Sequence, residues 1–394
     1  MLRIYALLLL LPLSAAAQPF SKNYLMSFHT CDAQCMGFQD HEVQLAESND
    51  GMSWTLVPNF PVYQGSVPDV IVRGSKVYIY TPGSVRRFDN GTGAWESSAQ
   101  PVSVVDANSN PVNYVDPSAI IDSAGNIVLF FLNSTGLTGD PAGCANYPCT
   151  KYFNSATEIP GSDGTQFTMN SGDRITVTLN SSPQTASDPD IYFNGADYIL
   201  YISKGSSTLA ASCPSLHGSY TLFPNLPNGE LVQNLGGIPC GHYKAGSGMY
   251  WTYVHSNVSG STEIRMAAHS DFNAPLANLT TVMSGPIIGQ PSTTKTESPG
   301  FCVNFLVTGM EETAAIPLGA SVSPNPVSEL MSIRLDQNLR AGRLRLFDLS
   351  GKCVLEKTFS GNVIEANCAT LGRGIYMAEV QGEKQIARLK IMRE

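Results

Sequence analysis

Acids flank prolines at three places in the first half of the chain: Val67-Pro68-Asp69, Asp116-Pro117-Ser118 and Asp188-Pro189-Asp190. A carboxyl group serves as a proton donor or acceptor near neutral pH only when burial or a like-charged neighbour raises its pKa. Asp69, Asp116 and Asp188 are therefore the candidate catalytic residues, provided that the fold brings them to one partly desolvated mouth. Three carboxylates held there repel one another. At least one should keep its proton, or a cation such as calcium, or the imidazole of His242, should neutralise the group. Asp190, His242 and Trp251 are the candidate substrate-binding residues, and no metal ligands are assigned. An Asp beside Pro also caps strands and turns without doing chemistry, which is the competing reading for each acid.

The elements that would position these acids repeat. In each copy an acid and a proline open a strand, a glycine makes the turn, and an aromatic or apolar strand returns. Val67-Pro68-Asp69 leads through Gly74 to Tyr78 and Tyr80, Asp116-Pro117 through Gly125 to Phe130 and Phe131, and Asp188-Pro189-Asp190 through Gly195 to Tyr198 and Tyr201. A fourth copy runs from Gly241-His242 through Gly248 to Tyr250, Trp251 and His255. The spacing, about fifty to seventy residues, is that of propeller blades. A second phrase interleaves: Asp50-Gly51 followed by Trp54, and Asp163-Gly164 followed by Phe167, each read as a tight turn in which Asp accepts turn N–H groups and an aromatic covers the hairpin. Together they predict about five blades between Gln18 and residue 312, with strand starts facing a central channel. The 35 Gly, 25 Pro and only 14% charged residues agree with an all-β chain of short strands.

Residues 1–17 have the form of a signal peptide: Arg3, then the apolar stretch Leu7 to Leu13, then Ala15-Ala16-Ala17. Residues 18–312 are the expected propeller, 313–320 a linker and 321–394 a small module. That module carries a net charge of +3, so the rest of the chain carries −12 of the total −9. An acidic body is unsuited to nucleic acid or anionic membrane, and no span through a membrane is expected in the mature chain. Nine cysteines in an exported protein imply disulfides. Proximity suggests Cys31 with Cys35, Cys144 with Cys149, and Cys353 with Cys368, leaving at least one free thiol among Cys213, Cys240 and Cys302.

On the repeated phrases the body resembles the five-bladed propeller glycosidases of the arabinanase and β-xylosidase type, with sialidase-like Asp-box turns. The resemblance implies acids at the starts of the innermost strands: a base in the first blade, a modulating Asp in the second and an acid in the third. Asp116 matches the second position. Val67 stands at the first with Asp69 two places on, and the third blade offers Asp188 and Asp190 in place of Glu. The implied activity is hydrolysis or binding of polysaccharide by a glycoside hydrolase-like body with degenerate catalytic acids. The alternative is a non-catalytic surface adhesin or scaffold.

From Ser321 alternating runs such as Leu344-Arg345-Leu346-Phe347 alternate with turns, describing a β-sandwich of the immunoglobulin-like kind. Its ordered phrases, Pro324-Asn325-Pro326, Asp348-Leu349-Ser350-Gly351-Lys352, Leu371-Gly372-Arg373-Gly374-Ile375-Tyr376 and the basic strand through Arg388 and Lys390, resemble the C-terminal sorting domain of type IX secretion cargo. The resemblance implies the type IX machinery as partner and a secreted or outer-surface location.

Overall fold

The computed structural model describes residues 20–32, 37–137, 139–257, 261–308, 316–317, 319–347, 353–382 and 385–393. The signal peptide and, of the expected linker, residues 313–315 and 318 lie outside the described residues. The chain divides into two compact units at Glu311 and Glu312, the turn Ile121–Asn126 being grouped with the second unit.

The first unit is a β-propeller whose described strands form five sheets, antiparallel except where Ser103–Val105 pairs parallel with Gln166–Met169, each sheet running outward from an inner strand. Three sheets take their strands in chain order, beginning at Asp69–Arg73, Ser187–Phe193 and Gly237–Lys244; the sheet that starts at Tyr114–Ile121 carries the earlier strand Ser103–Val105 at its outer edge. The fifth combines the two ends of the unit. The late strand Lys295–Val303 is its inner strand and pairs with Tyr24–Cys31, which pairs with Glu42–Ser48. Joining the ends in one sheet closes the ring and leaves no long exposed edge there. Second strands are buried on both faces, as Val128 to Leu132 and Ile199 to Ile202 show, because each sheet packs between two neighbours.

The turn phrases do two different jobs. Asp50 accepts the N–H groups of Met52 (2.8 Å) and Ser53 (2.7 Å), Gly51 takes φ 75°, and buried Trp54 covers the hairpin, as its sequence predicts. Asp163 does not cap its own turn. Glu158 takes the Gly164 N–H instead (2.6 Å), and Asp163 bonds to Arg73, Lys76, Tyr78 and Arg87 of the neighbouring sheet.

In the second unit the strands Ala320–Ser323, Leu330–Phe347, Cys353–Asn367, Gly374–Gln381 and Gln385–Arg393 form one connected sheet. Register shifts break its long central strand near Leu339. Alternation buries Leu344 and Leu346 with Met331, Ile333, Ile364, Ala378, Val380 and Ile391. The disulfide Cys144–Cys149 forms, with Cα atoms 6.1 Å apart. Cys31 is also disulfide-bonded, and its expected partner Cys35 lies outside the described residues. The Cys353–Cys368 bond does not form, and Cys368 is a buried free thiol. The two residues stand at opposite ends of the strand Cys353–Asn367, which rises roughly 3.3 Å per residue, so closeness in sequence is distance in space.

Candidate active site

Five Xaa-Pro dipeptides lie in or just before the five inner strands: Val67-Pro68, Asp116-Pro117, Asp188-Pro189, Ile238-Pro239 and Ser298-Pro299. All five line one small cavity at the propeller axis. In every case the residue before proline has a positive φ: 42° at Val67, 54° at Asp116, 46° at Asp188, 44° at Ile238 and 57° at Ser298. Left-handed backbone is costly for any side chain but glycine and most costly for β-branched Val and Ile. The left-handed residue recurs at all five sheets and coincides with a bulge in three of them. Pairing registers slip at Asp188, at Ile238 and opposite Ser298, and a bulge of this kind re-aims a side chain.

The residue after each proline forms a second tier with a different task. Asp69 accepts the N–H of Ala119 in the next sheet (2.6 Å), Ser118 accepts that of Ile191 (3.2 Å), and Asp190 accepts that of Gly241 (2.8 Å). Ser118 also donates to Asp190 (3.4 Å). Gly300 completes the tier with no side chain, since a Cβ there would lie 2.6 Å from the Asp69 carboxylate and 2.7 Å from the Pro68 carbonyl. This tier stitches one sheet to the next.

Asp116 and Asp188 therefore correspond to each other and to Val67, whereas Asp69 corresponds to Ser118 and Asp190. All four acids line the cavity. Burial is the main cause of their shifts: Asp69 is pushed up to about 7 against its hydrogen bonds, and Asp188 up to about 6 against the Ser187 hydroxyl. Asp116 rises well above the carboxylate range through burial and then through Asp188, whose N–H lies 3.4 Å from an Asp116 carboxylate oxygen. Asp190 rises through burial and the charge of Asp69. Neighbouring buried carboxyls of this kind hold protons as a group. The cavity itself measures about 30 Å³, room for one or two waters and far less than a sugar ring needs.

His242 and Trp251 lie off this cavity. His242 shares a strand face with Cys240, and that face packs between two sheets rather than toward the axis. Its ring sits 4.6 Å from Phe301 and 5.6 Å from Trp251, and burial lowers its pKa to about 4. Trp251 is buried in the same cluster, with the Lys244 ammonium 4.9 Å from its ring centre. The sequence reading omitted Ile238 and Ser298, although Ile238-Pro239 and Ser298-Pro299 continue the proline series. It also omitted the group His29, His41 and Glu297, which gathers with His255 beside Val67 and Ser298.

The second unit identifies how the protein travels. Residues 321–394 match the family model described as a secretion system C-terminal sorting domain. The protein is thus a secreted or cell-surface protein that engages the type IX secretion machinery through this domain. No helix among the described residues is long and apolar enough to cross a membrane.

Solved structures similar to the chain include a GH43_1 enzyme from Xanthomonas citri complexed with xylose, 17% identical with a TM-score of 0.44, covering 66% of this chain and 86% of that one. An endo-1,4-beta-xylanase from Bacteroides thetaiotaomicron is 16% identical with a TM-score of 0.40, covering 61% and 84%. A mutant alpha-L-arabinanase of Cellvibrio cellulosa is 13% identical with a TM-score of 0.40, covering 62% and 87%. No curated protein sequence matches the chain.

Proposed function

We propose that the propeller is a polysaccharide-directed domain of the glycosidase type, working outside the cell with Asp116 and Asp188 as its acid pair. The observation that carries this reading is their shared left-handed, pre-proline position on adjacent sheets, which turns two half-buried carboxyls of raised pKa to one axial mouth. Glycoside hydrolysis needs one carboxyl that donates a proton and another that is ionised. Asp116, pushed further up, is assigned the donor role, and Asp188, at about 6, the base. The cavity admits water and no sugar ring, so the saccharide lies across the mouth. Asp69 and Asp190 are assigned to holding sheets together, and His242 and Trp251 to packing.

The test is release of reducing sugar from arabinan, xylan and sialosides by the mature full chain, repeated with Asp116→Asn and Asp188→Asn. Hydrolysis lost in both folded variants supports the reading. Retention of a saccharide without hydrolysis moves the protein to the adhesin class, and neither binding nor hydrolysis overturns the proposal. Delivery is tested separately by removing residues 321–394, which should leave the propeller retained inside the outer membrane.

A further inference from the structure

We propose that Glu297, His41 and His255 form a binding site for one divalent transition-metal cation of the zinc type at the rim of the axial cavity. The four side chains of this corner come from distant parts of the chain and meet where the late strand Lys295–Val303 enters the ring. His29 accepts the Val67 N–H at Nδ1 (3.2 Å), which places its ring proton on Nε2, and Nε2 donates to Oε2 of Glu297 (3.3 Å). His255 Nδ1 lies 4.0 Å from the same oxygen, buried and with no hydrogen-bond partner. A buried nitrogen left without a partner calls for a bound species to satisfy it. His41 is anchored through Nδ1 to the Ser66 hydroxyl (2.8 Å), and ligand atoms of His29, His41 and Glu297 all lie within 4.8 Å of one another.

Neutral imidazole and ionised carboxylate are the forms that ligate. Two nitrogens and one carboxylate select a zinc-type ion over calcium, which takes six to eight oxygens. His29 is the positioning residue, since its proton holds one oxygen of Glu297 and leaves the other for the ion. The His29 and His41 rings are stacked, with centroids 4.0 Å apart and planes 12° from parallel. One ion cannot lie in both ring planes, so the stack keeps His29 out of the ligand set. Lys295 opposes a cation here and Asp40 favours one.

The experiment uses the untagged full chain, stripped with chelator and titrated with Zn²⁺ by calorimetry and with Co²⁺ by its visible absorption. One equivalent should bind, with the Co²⁺ spectrum of a nitrogen and oxygen site. Glu297→Gln, His41→Asn and His255→Asn should each weaken binding about tenfold or more, and Asp116→Asn should leave it unchanged. If Glu297→Gln proves unfolded by circular dichroism, the half-buried His41→Asn variant decides. Absence of a stoichiometric Zn²⁺ site overturns the proposal. So does unchanged binding in His41→Asn and His255→Asn, or loss of binding in Asp116→Asn alone.

Discussion

The residues before and after the axial prolines differ by two positions in sequence and by almost everything in physics. Before the proline, the backbone is left-handed and Asp116 and Asp188 face a shared mouth with little to neutralise them. After it, Asp69 and Asp190 lie in the same cavity wall but spend a carboxylate oxygen on an N–H of the next sheet. An acid has raised pKa in either tier, because burial is the largest cause in both. Perturbed titration alone thus fails to separate chemistry from construction; what differs is the bond to the next sheet, short at Asp69 (2.6 Å) and Asp190 (2.8 Å) and long from the Asp188 N–H to Asp116 (3.4 Å).

Substitution by Asn tests that distinction with the largest effect, because the amide keeps an acceptor oxygen and removes the acid. Asp116→Asn and Asp188→Asn should lower hydrolysis by about 10²- to 10⁴-fold, the usual worth of a positioned acid or base, with the fold kept. Asp190→Asn should keep both activity and fold. Equal activity losses in the two tiers, measured as initial rates on the responsive polysaccharide, would erase the difference drawn between them.

The second tier responds in stability instead. Asp190→Ala strands the buried Gly241 N–H and should cost about 1–3 kcal/mol. Gly300→Ala drives a methyl against Asp69 and the Pro68 carbonyl and should cost about 1–3 kcal/mol. Both are read from denaturant midpoints. A neutral Gly300→Ala would mean that the stitching between sheets is slack.

Titration gives a smaller, signed effect. Asp188 has an ordinary value of 3.8 and a folded value of about 6, so between these pH values the folded state binds more protons than the unfolded one. Its contribution to stability is fully present below pH 4 and is lost as pH rises through about 6. Glu297 and His41, with lowered values, act in the opposite sense and mask this in the whole-protein curve. The difference between Asp188→Asn and the natural chain isolates it: the variant's advantage in melting temperature should grow from pH 4 to pH 6 and then level. A flat difference would show that Asp188 is not buried as described.

How much of this was legible in the sequence depended on whether the signal was local. The sorting module was legible because its phrases fall in order within seventy-four residues, and three blades were legible because an acid marks their prolines. Ile238-Pro239 and Ser298-Pro299 lack that acid, and the fourth blade was read as opening at Gly241-His242, three residues late. Left-handed Val and Ile are invisible to any propensity, since only closure of the ring imposes them. The His29, His41, His255 and Glu297 corner joins residues up to 268 positions apart, as the His29–Glu297 bond shows, so no spacing rule could have found it. His242 and Trp251 lie off the axial cavity because side chains on a strand have two faces to choose between, and sequence alone does not say which one faces the axis.

The mildest prediction concerns the strain itself. Val67 and Ile238 hold the same left-handed conformation as Asp116 and Asp188, yet only the acids are types that tolerate it. Asn is the residue that visits this region most readily after Gly, and its amide can meet water in the cavity. Val67→Asn should therefore relieve about 1–2 kcal/mol of backbone strain and lose a comparable amount of apolar contact, since Val67 is only half-buried. The net change in unfolding free energy should stay within about 1 kcal/mol, with activity retained because Val67 carries no proton. A loss well beyond that would show that the Val67 side chain holds the mouth open. The first tier would then be partly construction as well, and the distinction between the tiers would be one of degree.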